Sequence, residues 1–402
     1  MSRFSWGACC ESFNEDAVRI GFMRALVVGC GNIGSVAASD LAASASSLDI
    51  VVADKDPIRA KAVAEKIGKA NVSWSQIDAR NHADLINRLK EFNVVLGFLP
   101  GNLGYRLAEA CIEAKKDLVD VSFMGENPLS LHDMAVESGI TIVPDCGLAP
   151  GISNVLVGHA VSALDKVQSV RVMVGGLPET PVPPLGYVIT WSPESLIDEY
   201  IRKARIIVGG RLADVEALTG LEEVDFPEVG KLEAFYTDGL RTLLHTVKGV
   251  EEMWEKTLRY PGHADKVGVL RSLGFFEDKP INVQGVSISP RMVTVKLFSN
   301  KLAQPEVRDI VALRVVVSGF KKNKPVHYTY DLLDFYDKGS EVTAMARTTA
   351  YPASLVAQLM LKKVEFEKGV VPPEKLGMNN DLFSMLLDGL RKHGIEIKET
   401  ID

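Results

Sequence analysis

The chain has 402 residues, of which 47% are hydrophobic, 24% charged and 7% aromatic, and its formal net charge at pH 7 is −7. This length predicts two domains, and the negative charge argues against a general affinity for nucleic acid or anionic membranes. No apolar run reaches the roughly 18 to 20 residues of a membrane span, and five cysteines without a CxxC pair are typical of a reduced cytoplasmic protein.

The first 22 residues contain several charged side chains and no continuous apolar stretch, so they do not resemble a secretory signal. Met23 lies immediately before the first strand-like run, where a dinucleotide-binding chain commonly starts. We therefore expect residues 1–22 to be an N-terminal extension or a misassigned start, and we expect the protein to be cytoplasmic.

From Met23 onward, short β-branched runs alternate with helical patterns. The predicted strands are Ala25–Gly29, Asp49–Ala53, Val72–Ile77, Val94–Leu99, Asp117–Val121 and Thr141–Val143. This alternation predicts a parallel sheet with helices on both faces. Six strands are the full number of a Rossmann-type, doubly wound fold, which we assign to residues 23–148.

Beyond Pro150 the strand-like segments are longer and farther apart. They are Ser169–Val174, Lys231–Phe235, Lys256–Arg259, Ile310–Ser318 and Val326–Asp331, and a stretch of poor periodicity lies near 209–230. Widely spaced strands with long connections predict an α+β domain with an open mixed sheet over residues 149–345. A buried helix over 350–361 leads us to expect that residues 346–402 return to the first domain.

A glycine-rich loop, Gly29-Cys30-Gly31-Asn32-Ile33-Gly34, follows the first predicted strand and begins a helix. The first glycine permits the tight turn, the second lets the backbone approach a pyrophosphate, and the third lets the helix pack against the strand. Free N–H groups at the helix N-terminus complete an anion site. The loop therefore predicts that a nicotinamide dinucleotide binds here.

Asp54 ends the second strand, where a carboxylate binds the adenosine ribose hydroxyls and repels a 2′-phosphate. Asp56 is the better candidate for capping the next helix because Pro57 follows it. The position of Asp54 predicts NAD as cofactor, with NADP less favoured. Lys55 and Arg59 leave NADP open, since either cation suits a phosphate.

Ligands of open α/β sheets gather beyond the carboxyl ends of the strands. Pro100 and Gly101 follow the fourth strand and are predicted to border the nicotinamide ring. Asp120 and Ser122 at the end of the fifth strand, and Asp145 after the sixth, are candidates for binding the substrate. Helix capping or a loop salt bridge is the alternative for both acids.

The seven histidines form no HxH or HExxH pattern, so we expect no catalytic metal.

Four motifs together resemble those of the saccharopine dehydrogenase-like family. They are the glycine loop, PDCGLAPG at 144–151, LRYPGHA at 258–264 and AMARTTAY at 344–351. The resemblance implies a Rossmann domain, a second domain that forms the substrate cleft and a dimer contact, and oxidation of a carbon–nitrogen bond. Within the family the motifs are most similar to those of the L-lysine 6-dehydrogenases, which are NAD-dependent and oxidise the lysine ε-amine to the semialdehyde with release of ammonia. Saccharopine and carboxynorspermidine dehydrogenases, which act on secondary amines, are the alternatives.

A general base must remove the amine proton before hydride leaves the adjacent carbon. His263 in the third motif is the first candidate, with a structural role as the alternative. Tyr260 is expected to position the substrate, and Asp120 or His263 to activate water. Arg241 departs from the lysine 6-dehydrogenase pattern and is a candidate clamp for a substrate carboxylate, unless it is solvent-exposed.

The expected partners are a small amino-acid substrate and further copies of the chain in a homodimer or higher oligomer. A protein that binds NAD as a regulator, without catalysis, is the alternative from a different functional class. The polar residues predicted for the second domain favour an enzyme.

Overall fold

The computed structural model describes residues 23–304 and 307–402, so the predicted extension over residues 1–22 lies outside the described part. Within these two ranges, no helix combines the length and the apolar character needed to cross a bilayer.

The described elements alternate along the first part of the chain and become strand-rich in the second. The strands are β1 (Met23–Val28), β2 (Leu48–Asp54), β3 (Val72–Gln76), β4 (Val94–Gly97), β5 (Asp117–Asp120), β6 (Thr141–Val143), β7 (Lys166–Pro178), β8 (Ala204–Val208), β9 (Arg211–Val215), β10 (Glu222–Phe226), β11 (Gly230–Tyr236), β12 (Glu252–Arg259), β13 (Ile281–Val283), β14 (Val286–Ile288), β15 (Asp309–Lys321), β16 (Lys324–Phe335), β17 (Gly369–Val370) and β18 (Ile397–Ile401). The helices are α1 (Asn32–Ser44), α2 (Pro57–Ile67), α3 (His82–Leu89), α4 (Gly101–Ala114), α5 (His132–Glu137), α6 (Ile152–Ala163), α7 (Pro193–Ile201), α8 (Leu243–Thr246), α9 (His263–Ser272), α10 (Pro290–Lys301), α11 (Ala344–Leu361), α12 (Pro373–Met378) and α13 (Asn380–Lys392).

The first sheet has seven parallel strands in the order β17-β6-β5-β4-β1-β2-β3. Strand β1 shows why this sheet is covered on both faces: Ala25 and Val27 pack into one core cluster, and Leu26 and Val28 into another. A continuous apolar strand needs helices on both sides to bury it. The predicted Rossmann-type fold is confirmed, and each of its six predicted strands is present.

The second sheet is mixed. Its main path runs β10-β11-β12-β7-β15-β16-β18, with β8 paired to β12 and β9 paired to β8. The pair of β12 with β7 is parallel, and the other pairs are antiparallel. The predicted α+β domain with an open mixed sheet is confirmed. Sequence periodicity missed β8, β9 and β10, which are only five residues long each, and in β9 two successive exposed residues, Arg211 and Leu212, interrupt the alternation.

The C-terminal segment divides between the two domains. Helix α11 packs against α1, β4 and β5, and β17 adds a strand to the parallel sheet. The last strand, β18, instead pairs with β16 at the edge of the second sheet. Because this segment contributes to both sheets, it ties the two domains together.

Candidate active site

A cavity of about 560 Å³ lies between the carboxyl edge of the parallel sheet and one face of the second sheet. The glycine loop and Asp54 line one end of this cleft. Glu199 on α7 and the β12 residues Glu255, Thr257 and Arg259 line the other end. The cleft is therefore continuous from the Rossmann loop to the second domain.

The glycine loop has the shape that a pyrophosphate needs. Gly29 has a φ of +103°, and a Cβ at Gly34 would lie 1.9 Å from the carbonyl oxygen of Gly29, so neither position tolerates a side chain. A Cβ at Gly31 would have no atom within 4 Å, which leaves open space in front of the backbone. Helix α1 begins here with no side chain capping its first N–H groups. This geometry fits a dinucleotide with its pyrophosphate at the helix N-terminus.

Asp54 lines the cleft at the end of β2. Its carboxylate accepts hydrogen bonds from the N–H of Cys30 at 2.9 Å and from the N–H of Asp56 at 3.0 Å. Asp56 caps α2 by accepting from the N–H of Ile58 at 3.0 Å, which is the capping role predicted for it. Asp54 is thus fixed beside the loop and does not cap the helix. Lys55 and Arg59 also line this end of the cleft.

The predicted nicotinamide end contains Pro100, Gly101 and Ser122, all of which line the cleft. Asp120 lies beneath them: it is fully buried and does not line the cavity. Its carboxylate accepts from the N–H of Ser122 at 2.7 Å and from the Ser122 hydroxyl at 3.1 Å. Burial raises the pKa of Asp120 to about 7. This placement argues against direct substrate binding or water activation by Asp120 and makes it the support of Ser122.

Arg241 and Asp145 form a buried ion pair, and neither lines the cleft. The guanidinium donates to both carboxylate oxygens of Asp145 at 3.2 Å and to the carbonyl of Met124 at 2.5 Å. The exposed fractions of the two side chains are 2% for Arg241 and 0% for Asp145. The predicted substrate-binding roles of both residues are therefore corrected: each side chain neutralises the other where the second domain meets the turns after β5 and β6.

His263 and Tyr260 also lie outside the cavity lining. The ring nitrogens of His263 are hydrogen-bonded to the Tyr200 hydroxyl and to the Leu185 carbonyl, both at 2.9 Å, and the residue is 1% exposed. Burial lowers the pKa of His263 to about 3. The Tyr260 hydroxyl donates to the carbonyl of Pro178 at 2.9 Å. Both residues stabilise the turn before α9, which corrects the general-base role predicted for His263 and the substrate role predicted for Tyr260.

The sequence analysis did not predict the polar row on β12, which consists of Glu255, Thr257 and Arg259. Glu255, Thr257 and Arg259 follow each other at intervals of two, so their side chains share the face of the strand that lines the cleft. Arg259 is 3% exposed and donates to Glu199 at 3.0 Å. The available signal was charged residues alternating along a strand, but the predicted strand began at Lys256, one residue after Glu255.

Metal chemistry has no evident site in the part of the chain that the structure describes. In residues 23–304 and 307–402, no three His, Cys, Asp or Glu side chains are grouped as a metal site would require.

Two family models match the chain. The saccharopine dehydrogenase NADP binding domain matches residues 25–143, and the saccharopine dehydrogenase C-terminal domain matches residues 147–395. The chain is 24% identical to the alpha-aminoadipic semialdehyde synthase of Arabidopsis thaliana, over 83% of this chain and 39% of that protein. It is 22% identical to the carboxyaminopropylagmatine dehydrogenase of a Synechocystis species, over 92% of this chain and 97% of that one.

A solved structure has the same fold. It is the apo saccharopine dehydrogenase (L-Glu forming) from Saccharomyces cerevisiae, with a TM-score of 0.77 and 20% identity, and the match covers 94% of this chain and 100% of that one. The Arabidopsis relative is much longer than the matched region, whereas the Synechocystis relative is matched almost end to end. The matches of both domain models cover most of the chain, which therefore belongs to the saccharopine dehydrogenase family of nicotinamide-dependent oxidoreductases.

Proposed function

We propose that the protein catalyses the nicotinamide-dependent oxidation of a carbon–nitrogen bond in an amino acid or amine, or the reverse reduction. The observation that carries this proposal is the continuity of the cleft from the glycine loop to the polar row on β12. A substrate held on that row would present its carbon–nitrogen bond to the nicotinamide end, beside Pro100 and Ser122. Bound nicotinamide would accept or donate the hydride.

The substrate we favour is a cationic amine, as in oxidation of the lysine ε-amine to the semialdehyde with release of ammonia. Four acids line the second-domain end of the cleft, namely Glu194, Glu199, Asp238 and Glu255, whereas Arg259 is the cation that lines it there. A cluster of acids favours an ammonium or guanidinium group over a molecule with several carboxylates. Arg259 lines this end of the cleft, and its positive charge suits one substrate carboxylate.

For the cofactor we propose NAD. The support is the position of Asp54, whose carboxylate is fixed by two backbone N–H groups at the site where a 2′-phosphate would lie. The matching domain model is named for NADP, and Lys55 and Arg59 are close enough to line the same end of the cleft. Comparing activity with the two dinucleotides tests this proposal.

The contribution of the Rossmann domain to catalysis is to fix the floor of the nicotinamide end. Asp120 holds both the backbone and the hydroxyl of Ser122. Gly101 packs so closely on the Phe123 carbonyl that a Cβ would lie 2.3 Å from it. Rigid placement of this kind keeps the reacting groups aligned.

The test is absorbance at 340 nm, which follows the reduced nicotinamide. NAD and NADP are each offered with lysine, saccharopine, carboxynorspermidine and carboxyaminopropylagmatine. We expect turnover with NAD and a substrate that carries a free cationic group. Tight NADH binding with no turnover of any amine would instead favour a regulator that binds NAD without catalysis.

We further propose that the protein forms a homodimer or higher oligomer through an apolar surface on the second domain. Nine exposed apolar residues share one segment: Val269, Leu273, Phe275, Ile281, Val283, Val286, Met292, Val293 and Leu297. Strands β13 and β14 in this segment form a separate two-stranded sheet, which is marginally stable in water unless something covers it. A second copy related by a twofold axis would cover the nine apolar residues and this two-stranded sheet at once.

A cytoplasmic location also remains our proposal. It is supported by the odd number of cysteines and by the buried free thiols of Cys30, Cys111 and Cys146.

A further inference from the structure

The Glu255 carboxyl is a buried acid that lines the cleft without a partner. The residue is 5% exposed, and no group in residues 23–304 or 307–402 donates a hydrogen bond to its carboxyl. A buried carboxyl normally accepts hydrogen bonds from the protein. Its oxygens are therefore available to a ligand in the cleft.

Gly239 makes the room for this carboxyl. A Cβ at residue 239 would lie 1.6 Å from Oε1 of Glu255 and 2.2 Å from Oε2. The carboxyl thus sits directly on the backbone of the segment between β11 and α8, and any side chain at Gly239 would displace it.

The charged groups that face Glu255 are already paired with one another. Glu199 on α7 accepts from Arg259, which lies on the same strand as Glu255, and Asp238 accepts two hydrogen bonds from Arg205 at 2.9 Å. Arg241 is paired with Asp145. None of these pairs includes Glu255.

We propose that Glu255 is a catalytic residue that takes the proton from the reacting nitrogen of the substrate and later releases it to solvent. This inference rests on the proposed function, because it assumes that an amine binds in the cleft. The geometry supports it independently of that assumption, since the carboxyl is unpartnered, lines the cleft, and shares a strand face with Thr257 and Arg259.

The reaction balances in three steps for a primary amine. The Glu255 carboxylate accepts one proton from the substrate ammonium, which leaves a neutral amine. The adjacent C–H bond breaks, its hydrogen leaves with both electrons to the oxidised nicotinamide, and a carbon–nitrogen double bond forms to give an iminium. Water adds to the iminium carbon, its two protons pass to the departing nitrogen, and a carbonyl and ammonium result. The protonated Glu255 then returns its proton to solvent.

The charge around Glu255 suits this role. Burial, together with Glu199 and Asp238, raises the pKa of Glu255 to about 8, while Arg241 opposes the rise. A general base works best when its pKa lies near the working pH. A cationic substrate beside the carboxyl would lower this pKa again, so substrate binding itself would favour the ionised form.

The test compares Glu255→Gln with the wild type on whichever amine the wild type oxidises. We expect kcat to fall by about 100-fold or more, with NADH affinity, measured by fluorescence, unchanged. The wild-type rate should rise with pH through the ionisation of the base, and this rise should be absent in the variant. Glu255→Asp, which keeps the carboxyl, should retain the pH-dependent rise.

The matched control is Glu252→Gln on the same strand. Glu252 pairs with Arg171 at 2.8 Å, and its side chain is 39% exposed and outside the cavity lining. We expect this control to stay within about twofold of the wild type, as surface ion pairs contribute little. A Glu255→Gln variant with wild-type kcat and pH profile would overturn the proposed role of Glu255 alone. A wild type that turns over no amine would overturn the proposed function, and with it this inference.

Discussion

Arg241 is held by two segments that follow neighbouring strands of the Rossmann sheet, and its replacement by methionine tests whether it stabilises the protein or binds substrate. Methionine keeps an apolar stem of similar length but removes two hydrogen bonds to Asp145 and one to the Met124 carbonyl. Asp145 would remain with a fully buried, unpaired carboxylate. Breaking a buried ion pair in this way costs about 3 to 5 kcal/mol of unfolding free energy.

Urea unfolding followed by tryptophan fluorescence measures this loss through the midpoint of the transition. Arg24→Met is the matched control, because Arg24 pairs with Glu91 on the surface, where side-chain exposures are 35% and 59%. An exposed pair of this kind contributes about 1 kcal/mol or less. Asp145→Asn in the Arg241→Met background should recover stability, since it removes the unpaired charge. Asn also tolerates the positive φ of +53° at position 145.

A stabilising role for Arg241 is refuted if Arg241→Met unfolds at the wild-type urea midpoint while KM for the amine rises. That result is expected of a residue that binds a substrate carboxylate, since a charged hydrogen bond contributes about 1.5 to 3 kcal/mol, or roughly 10- to 150-fold in affinity. It would restore the interpretation drawn from the sequence.

Three further predictions concern stability, cofactor and assembly. Between pH 4.5 and about 8 the folded protein keeps a proton on Glu255 that the unfolded chain has released, so the wild type loses stability as pH rises through this window. The free energy of unfolding of Glu255→Gln, measured by urea titration, should therefore rise relative to that of the wild type across this window, by at most about 5 kcal/mol. A difference between the two proteins that stays constant with pH would contradict the raised pKa. Asp54→Ser should raise the ratio of kcat/KM for NADP over NAD at least about 5-fold, because the repulsion that it removes is about 1 to 4 kcal/mol at 4 Å. Asp56→Ser, which keeps a helix cap, should leave the ratio unchanged, and the NAD proposal fails if the wild type prefers NADP. Leu273→Glu should reduce the mass measured by light scattering to that of one chain, and a monomeric wild type would refute the proposed interface.

The Rossmann half was predictable because its signals are local. A strand, a glycine loop and a helix follow one another within about twenty residues, and the division of roles between Asp54 and Asp56 could be inferred from the neighbouring Pro57. The parallel order of the strands then follows from the fold. The strands β8 to β10 were missed because an alternating run of only five residues is a weak signal in a sequence.

The site in the second domain was predicted poorly because its contacts are distant in sequence. His263 was chosen for the ordinary pKa of histidine, but its partners Leu185 and Tyr200 are 78 and 63 residues away. Their contacts bury the ring and occupy both of its nitrogens. Arg241 and Asp145 are 96 residues apart, so nothing near either residue in the sequence indicated that they neutralise each other.

The Arg241–Asp145 pair also links the floor of the nicotinamide end to the proposed base. Arg241 contacts the segment after β5 through Met124, and its charge favours the ionised form of Glu255. Removing that charge should therefore raise the pKa of Glu255 further. In Arg241→Met, the pH-dependent rise of the oxidation rate should move to higher pH, whereas in Arg24→Met it should stay where it is. If the rate rises at the same pH in both variants as in the wild type, the charge of Arg241 does not act on the titrating group. Glu255 would then not be the base.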